Sequence, residues 1–252
     1  MKKIIGLLLV SLCFTGCNSY KKEIPTGKPF KISNVYTAPL YDYTKLRNVL
    51  LLPVANPLEH HIVDDYQHAI ALETTRNFGK FHYFNVQYDN DYKHKYPQNL
   101  APNGLINLDT DQINRAALGG VGKEYHAQAA LQLNVLDLQV FPPMRIHLKG
   151  GLFDTNTGER IWSLDHVFDA DDAEVVNGMR LWWNTRMAGG DEFNRFETQK
   201  ITPSFFLNYV FYKVAESYGQ SRSENVVKIN KIKKKKTAQQ CNQQCNKDNS
   251  VN

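Results

Sequence analysis

INRAALGGVGKEYHAQAALQLNVLDL, Ile113 to Leu138, decides how this chain is read. Ile113, Ala116, Ala117, Gly120 and Val121 recur at i, i+3, i+4, i+7 and i+8, the stripe of an amphipathic helix. Upstream, Asp109 and Gln112 have the spacing of a capping box, which predicts that the helix opens there. After Tyr125 the period falls to two. Leu131, Leu133 and Val135 share one phase, while Leu136, Leu138 and Val140 share the other, so a long strand with a bulge between Val135 and Leu136 is predicted. A helix that feeds straight into a strand points to an α/β fold.

The glycines in LGGVGKEY invite a phosphate-loop reading, and the spacing refuses it. A Walker loop needs Gly five residues before its Gly-Lys pair, where this chain has Ala117, and Ser or Thr after the lysine, where it has Glu124. The glycines also close a helix before a strand, the reverse of the nucleotide-binding order. Close packing of that helix is the simpler account.

Working outward, NVLLLPV (48–54) is a continuous apolar run, short enough for a strand buried on both faces. A helix is predicted from about Ile62 to Asn77, with Gly79 just past its end, then a strand over Phe81 to Gln87. A polar loop with Pro97 and Pro102 leads back to the opening stretch. Downstream, Pro142-Pro143 turn the chain; Ile146, Leu148, Gly150 and Leu152 then alternate with Arg145, His147 and Lys149. DTNTGE makes a hairpin turn, and Trp162, Leu164 and Phe168 mark the returning strand. Two helices are predicted to close the body, one from Asp171 with Glu174 at capping-box spacing, the other capped by Thr202 with Pro203 at its first position. The expected architecture is a mixed β-sheet of about five strands covered by helices, in the order β-α-β-α-β-β-β-α-α, over residues 48–220.

The ends differ from the body. MKKIIGLLLVSLCFTGCNS opens with two lysines and an apolar run of about 11 residues, well short of the ~20 that a membrane-spanning helix needs. Thr15-Gly16-Cys17 follows at once and resembles the lipobox of bacterial lipoproteins, which implies that residues 1–16 are a signal peptide and that Cys17 carries the lipid. An ordinary secretory signal is the alternative. In Gram-negative lipoproteins a residue other than Asp after the cysteine, here Asn18, favours the outer membrane, so the resemblance implies a protein lipid-anchored there and facing the periplasm. Residues 17–47, with Pro25, Pro29 and Pro39, read as a tether. Residues 221–252 hold eight Lys or Arg against two acids, a net +6, and their composition predicts a disordered basic tail. Removal of Lys2 and Lys3 with the leader leaves residues 17–220 at −3, which is not the footprint of a nucleic-acid-binding domain. Cys241 and Cys245 would remain, as a tail disulfide or as free thiols.

Three groups of side chains invite a functional reading. His61, Asp65 and His68 fall at i, i+4 and i+7 of a helix, a metal-ligand pattern, although a solvated helix start is the better account of them and no metal or other cofactor is expected. Arg145, His147 and Lys149 form a basic strand face that an acidic partner would fit. The adjacent Trp182 and Trp183 point ~100° apart on a helix, so one can be core while the other meets a partner.

RNVLLLPVANP (47–57), the Ile113–Leu138 stretch and GGLFDTNTGERIWSLD (150–165), in that order behind a lipobox, resemble the envelope lipoproteins built on an anticodon-binding-like α/β domain. That group takes in CsgG, LpoB and the amino-terminal domain of TolB. The resemblance implies a non-enzymatic protein that binds or assembles in the cell envelope, as a scaffold or as regulator of an envelope enzyme. It also allows a subunit of an oligomeric export or secretion complex. A metal-dependent envelope enzyme using His61, Asp65 and His68 is the rival from another class. The partners expected are the membrane, through the lipid, and an envelope protein or a second copy of the chain. The hairpin from Arg145 to Phe168 carries Asp154, Asp165 and His166, so a membrane-inserted pore is not expected.

Overall fold

The apolar run after Arg47 forms a strand whose residues alternate between two cores. Val49 and Leu51 belong to one buried cluster, Leu50 and Leu52 to the other. The structure, a computed structural model, describes residues 30–96, 105–110, 112–186 and 192–248, and the side chains of 192–194 and 233–248 are not among those described. The leader, Cys17 and the thiols of Cys241 and Cys245 therefore lie outside the described part, as do Pro97 and Pro102.

In chain order the elements are β1 (Val35–Thr37), β2 (Asn48–Leu51), α1 (His61–Lys80), β3 (Asn85–Tyr88), α2 (Tyr92–Lys95), β4 (Ile106–Asn107), β5 (Gln112–Ile113), α3 (Arg115–Glu124), β6 (Ala129–Gln139), β7 (Arg145–Asp154), β8 (Arg160–Asp169), α4 (Ala173–Arg186), α5 (Glu192–Gln199) and α6 (Pro203–Asp248). The main sheet has six strands in the order β1-β8-β7-β6-β2-β3. β2 runs parallel to both β3 and β6, while β6, β7, β8 and β1 pair antiparallel. The mixed α/β sheet expected from the sequence is thus present, with one more strand at its edge.

One face of the sheet packs on α1, α4 and α6. Trp162, Phe78 and Tyr218 meet there, with ring centroids 6.5, 5.8 and 5.9 Å apart, and all three are buried. The other face carries a smaller core under α2, α3 and the β4–β5 pair, built on Leu50, Leu118, Val121 and Phe153. The predicted bulge falls where the phase changes, with register shifting between Val135 and Asp137. The DTNTGE turn closes because Asp154 accepts from the backbone N–H groups of Asn156 and Thr157 (2.9 and 3.0 Å), and Gly158 takes φ +72°, a left-handed conformation open to glycine.

Several expectations are corrected. Gln112 and Ile113 pair with β4 instead of opening a helix; α3 begins after Asn114, whose side chain accepts from the Ala117 N–H (3.1 Å). Strand pairing won over a local capping pattern. The next helix is capped by Asp172 rather than Asp171, with Glu174 N–H donating to it at 2.7 Å. The third strand starts at Asn85 because Phe81, Tyr83 and Phe84 turn into the aromatic layer on Tyr218 and Tyr212. A third helix, α5, lies between the two predicted to close the body.

The expected tether is also part of the body from Phe30 on. Phe30, Ile32, Tyr43 and Leu46 are buried, and Val35–Thr37 add the edge strand on β8. Lastly, α6 does not stop at Gln220. It runs to Asp248 through the segment whose composition predicts disorder, and Asn225 inside that segment is buried, donating to Ala38 O (2.6 Å) and accepting from Leu40 N–H (3.2 Å).

Candidate functional site

The two faces of the sheet are unequally covered, and that inequality defines the site. Over β7 and β8 the second face stays half-exposed: His147, Lys149, Ser163 and Asp165 are half-buried and Val167 is 44% exposed. Strand alternation puts these residues on the face opposite Ile146, Leu148, Leu164 and Phe168, which belong to the large core. Gly151 keeps the floor low on this face, whereas a Cβ on Gly150 would face Leu133 and Leu164 in the large core. A Cβ on Gly151 would come within 2.9 Å of Leu108 and closer still to Phe153. The result is a groove of about 180 Å³ whose walls include Asn34 and Tyr36, Leu108, Lys149, Arg160 and Asp165.

Charge in the groove is internally matched. His147 Nε2 lies 2.8 Å from Asp165 Oδ1, and Lys149 Nζ donates to Asp109 Oδ1 at 2.6 Å with Asp165 Oδ2 at 3.9 Å. Arg145, at the strand's start, forms two bonds to Asp137 Oδ2 (2.9 and 2.5 Å). Arg160 lies over the Tyr36 ring at 4.9 Å. The basic face read from the sequence is therefore an alternating ladder in which Arg145, His147 and Lys149 each meet a carboxylate from β6, β8 or the β4–β5 turn. Periodicity within β7 showed the cations. Their acidic partners sit at distant positions in sequence, so no spacing could have revealed the match.

Trp182 and Trp183 join one aromatic layer between α4 and α6. Trp183 is 9% exposed and packs edge-on to Phe205 (5.4 Å), while the half-buried Trp182 meets Phe205, Tyr209 and Tyr212 at 5.3, 5.8 and 5.9 Å. Arg186 lies over Tyr212 at 4.5 Å. Both tryptophans pack mainly within the body, and Trp182 keeps a partly open face.

His61, Asp65 and His68 are exposed along the first turns of α1, and the His68 ring lies 6.2 Å from that of Tyr88. Among the described residues, no group of three or more His, Cys, Asp or Glu could hold a metal ion. The three residues share a helix face and do not converge.

A second polar centre went unnoticed in the sequence. Asp89, just beyond β3, accepts from Lys95 Nζ (2.7 Å) and from the Tyr125 hydroxyl (2.6 Å), with Tyr92 and Tyr96 beside it. The Lys95 ammonium, then the Tyr125 hydroxyl, holds the Asp89 carboxyl down at about 2. Burial and the same carboxylate push the Tyr125 phenol up. This cluster ties α2 to the end of α3, a structural duty.

No family model matches the chain, and a search of curated proteins finds no match. Among solved structures, similarity is found to the lipoprotein GNA1162 from Neisseria meningitidis (13% identity over 57% of this chain and 97% of that one, TM-score 0.37). It is found also to a PelC dodecamer from Paraburkholderia phytofirmans (11% identity, 57% and 86%, TM-score 0.37) and to TolB from Acinetobacter baumannii (11% identity, 63% and 32%, TM-score 0.29). Among the described residues, no helix is long and apolar enough to cross a membrane.

Proposed function

We propose that this chain is a lipid-anchored envelope protein, held at the outer membrane through Cys17, that works by binding rather than by catalysis, as a scaffold or as regulator of an envelope enzyme. The observation that carries the binding role is the half-exposed sheet face over β7 and β8. It offers a shallow groove whose charged side chains hold one another, a surface suited to docking. The lipobox-like Thr15-Gly16-Cys17 supplies the anchor.

A photo-crosslinking residue at Ser163, within the groove, tests the role in intact cells, with the same residue at exposed Glu59 as control. A discrete adduct from Ser163 and none from Glu59 is the expected result. No adduct from Ser163 would remove the groove from the account. The rival metal enzyme predicts a stoichiometric transition metal in the purified protein that is lost in a His61→Ala/His68→Ala variant, and finding one would overturn the binding reading.

A further inference from the structure

α6 is long enough to do two jobs. At ~1.5 Å per residue its 46 residues span roughly 69 Å, about twice what a small domain needs to cross its own core. The first half is core: Phe206, Tyr209, Val210, Val214 and Tyr218 are buried. Among the described side chains, Asn225 makes the last buried contact, bonding Ala38 and Leu40. Immediately beyond it Val226, Val227 and Ile232 are 41, 52 and 40% exposed, and Lys228 and Lys231 are exposed as well.

That distal helix begins with six lysines in nine residues, Lys228 to Lys236, and no acid among them. Helical spacing sets Lys231 three and four positions from Lys234 and Lys235, and Lys233 three from Lys236. Like charges one turn apart oppose helix formation. Glu216 is engaged by Lys213, so compensation within the helix is left to Glu224, four before Lys228, and Asp248, at the far end. A helix of this composition is stable against a dense negative surface, which neutralises all the lysines together.

We propose that the distal half of α6 is a docking element for an anionic phospholipid bilayer. Helical spacing distributes the six lysine positions around the axis and apolar residues are few, so the attraction is mainly electrostatic, with the helix lying at the headgroups and the exposed Val226, Val227 and Ile232 available to the acyl boundary. The rest of the mature chain, at −3, offers no net attraction to the same surface, so the contact falls to the arm. Exposed Val226, Val227 and Ile232 at the base of the arm favour a surface with an apolar layer beneath its charge over a purely polar polyanion. This contact is separate from the acyl anchor, although it serves the same membrane placement.

The test uses the chain from Asn18 onward, which contains the whole described core and has no lipid. It is sedimented with vesicles of phosphatidylethanolamine and phosphatidylglycerol, with phosphatidylcholine vesicles as the neutral control. Expected are binding to the anionic vesicles only, loss of binding as salt is raised, and at least about tenfold weaker binding when the six lysines become Gln. The Lys→Arg version of the same variant should bind as the parent does. Equal binding to neutral vesicles, or an undiminished Gln variant, would overturn the proposal. Heparin binding more tightly than the vesicles would overturn lipid as the partner. Acylation of Cys17, read from the mass of the native protein, is independent of all these outcomes.

Discussion

The glycine run in LGGVGKEY acquires its explanation at Gly122. A Cβ there would lie 2.5 Å from the Thr155 Cβ, and Thr155 is itself fixed by its hydroxyl donating to Ala127 O (2.8 Å). Gly122→Ala is therefore expected to cost about 1–3 kcal/mol in urea unfolding. Gly120 has nothing within 4 Å of an added Cβ, so Gly120→Ala should be neutral or stabilise by up to about 1 kcal/mol. Asp89 supplies a pH signature. Its folded pKa of about 2 lies below the ordinary 3.8, so its contribution to stability is present above 3.8 and lost as pH falls toward about 2. An Asp89→Asn variant should be less stable than the parent at neutral pH, with the difference in urea midpoint shrinking across that interval. A constant difference would mean that the carboxylate charge is not what matters.

At the scale of elements, the fate of the segment before β2 depends on α6. Leu40 sits at φ +64°, and its N–H and the Ala38 carbonyl are both satisfied by the one Asn225 side chain. Asn225→Ala leaves the buried Ala38 carbonyl unpaired and frees the part-buried Leu40 N–H, so a loss of about 1–3 kcal/mol is expected, with faster amide exchange at Leu40. Trp183→Ala, which empties the layer between α4 and α6, should cost roughly 3–5 kcal/mol.

These same elements show what the sequence could and could not tell. β6, its bulge, the β7–β8 hairpin and the start of α6 at Pro203 were legible because local periodicity and turn chemistry specify them. β1 was not. Three residues among prolines carry no period of their own and become a strand only because β8 offers an edge. The distal α6 misled by composition, since a lysine-rich segment reads as disorder unless the helix already nucleated in the core is taken into account. In the site, the cations of β7 were visible, whereas Asp109, Asp137 and Asp165 reach them only through tertiary pairing.

For the whole molecule, the proposed leader over residues 1–16 with a lipid on Cys17, a body with one groove-bearing face and a basic helical arm would together make a protein held at a membrane that presents a surface. Size bears on how it does so. Light scattering of the detergent-extracted protein on a sizing column is expected to give a monomer-sized polypeptide mass for an adaptor. A discrete larger mass would favour a subunit of an export assembly. The anchored state itself is tested most directly by the intact mass of the native chain purified from envelopes. Expected are an amino terminus at Cys17, the added mass of acyl chains, and loss of both processing and lipid in a Cys17→Ala variant. An unmodified chain that begins at Met1, or one cut elsewhere without lipid, would contradict the lipid anchor.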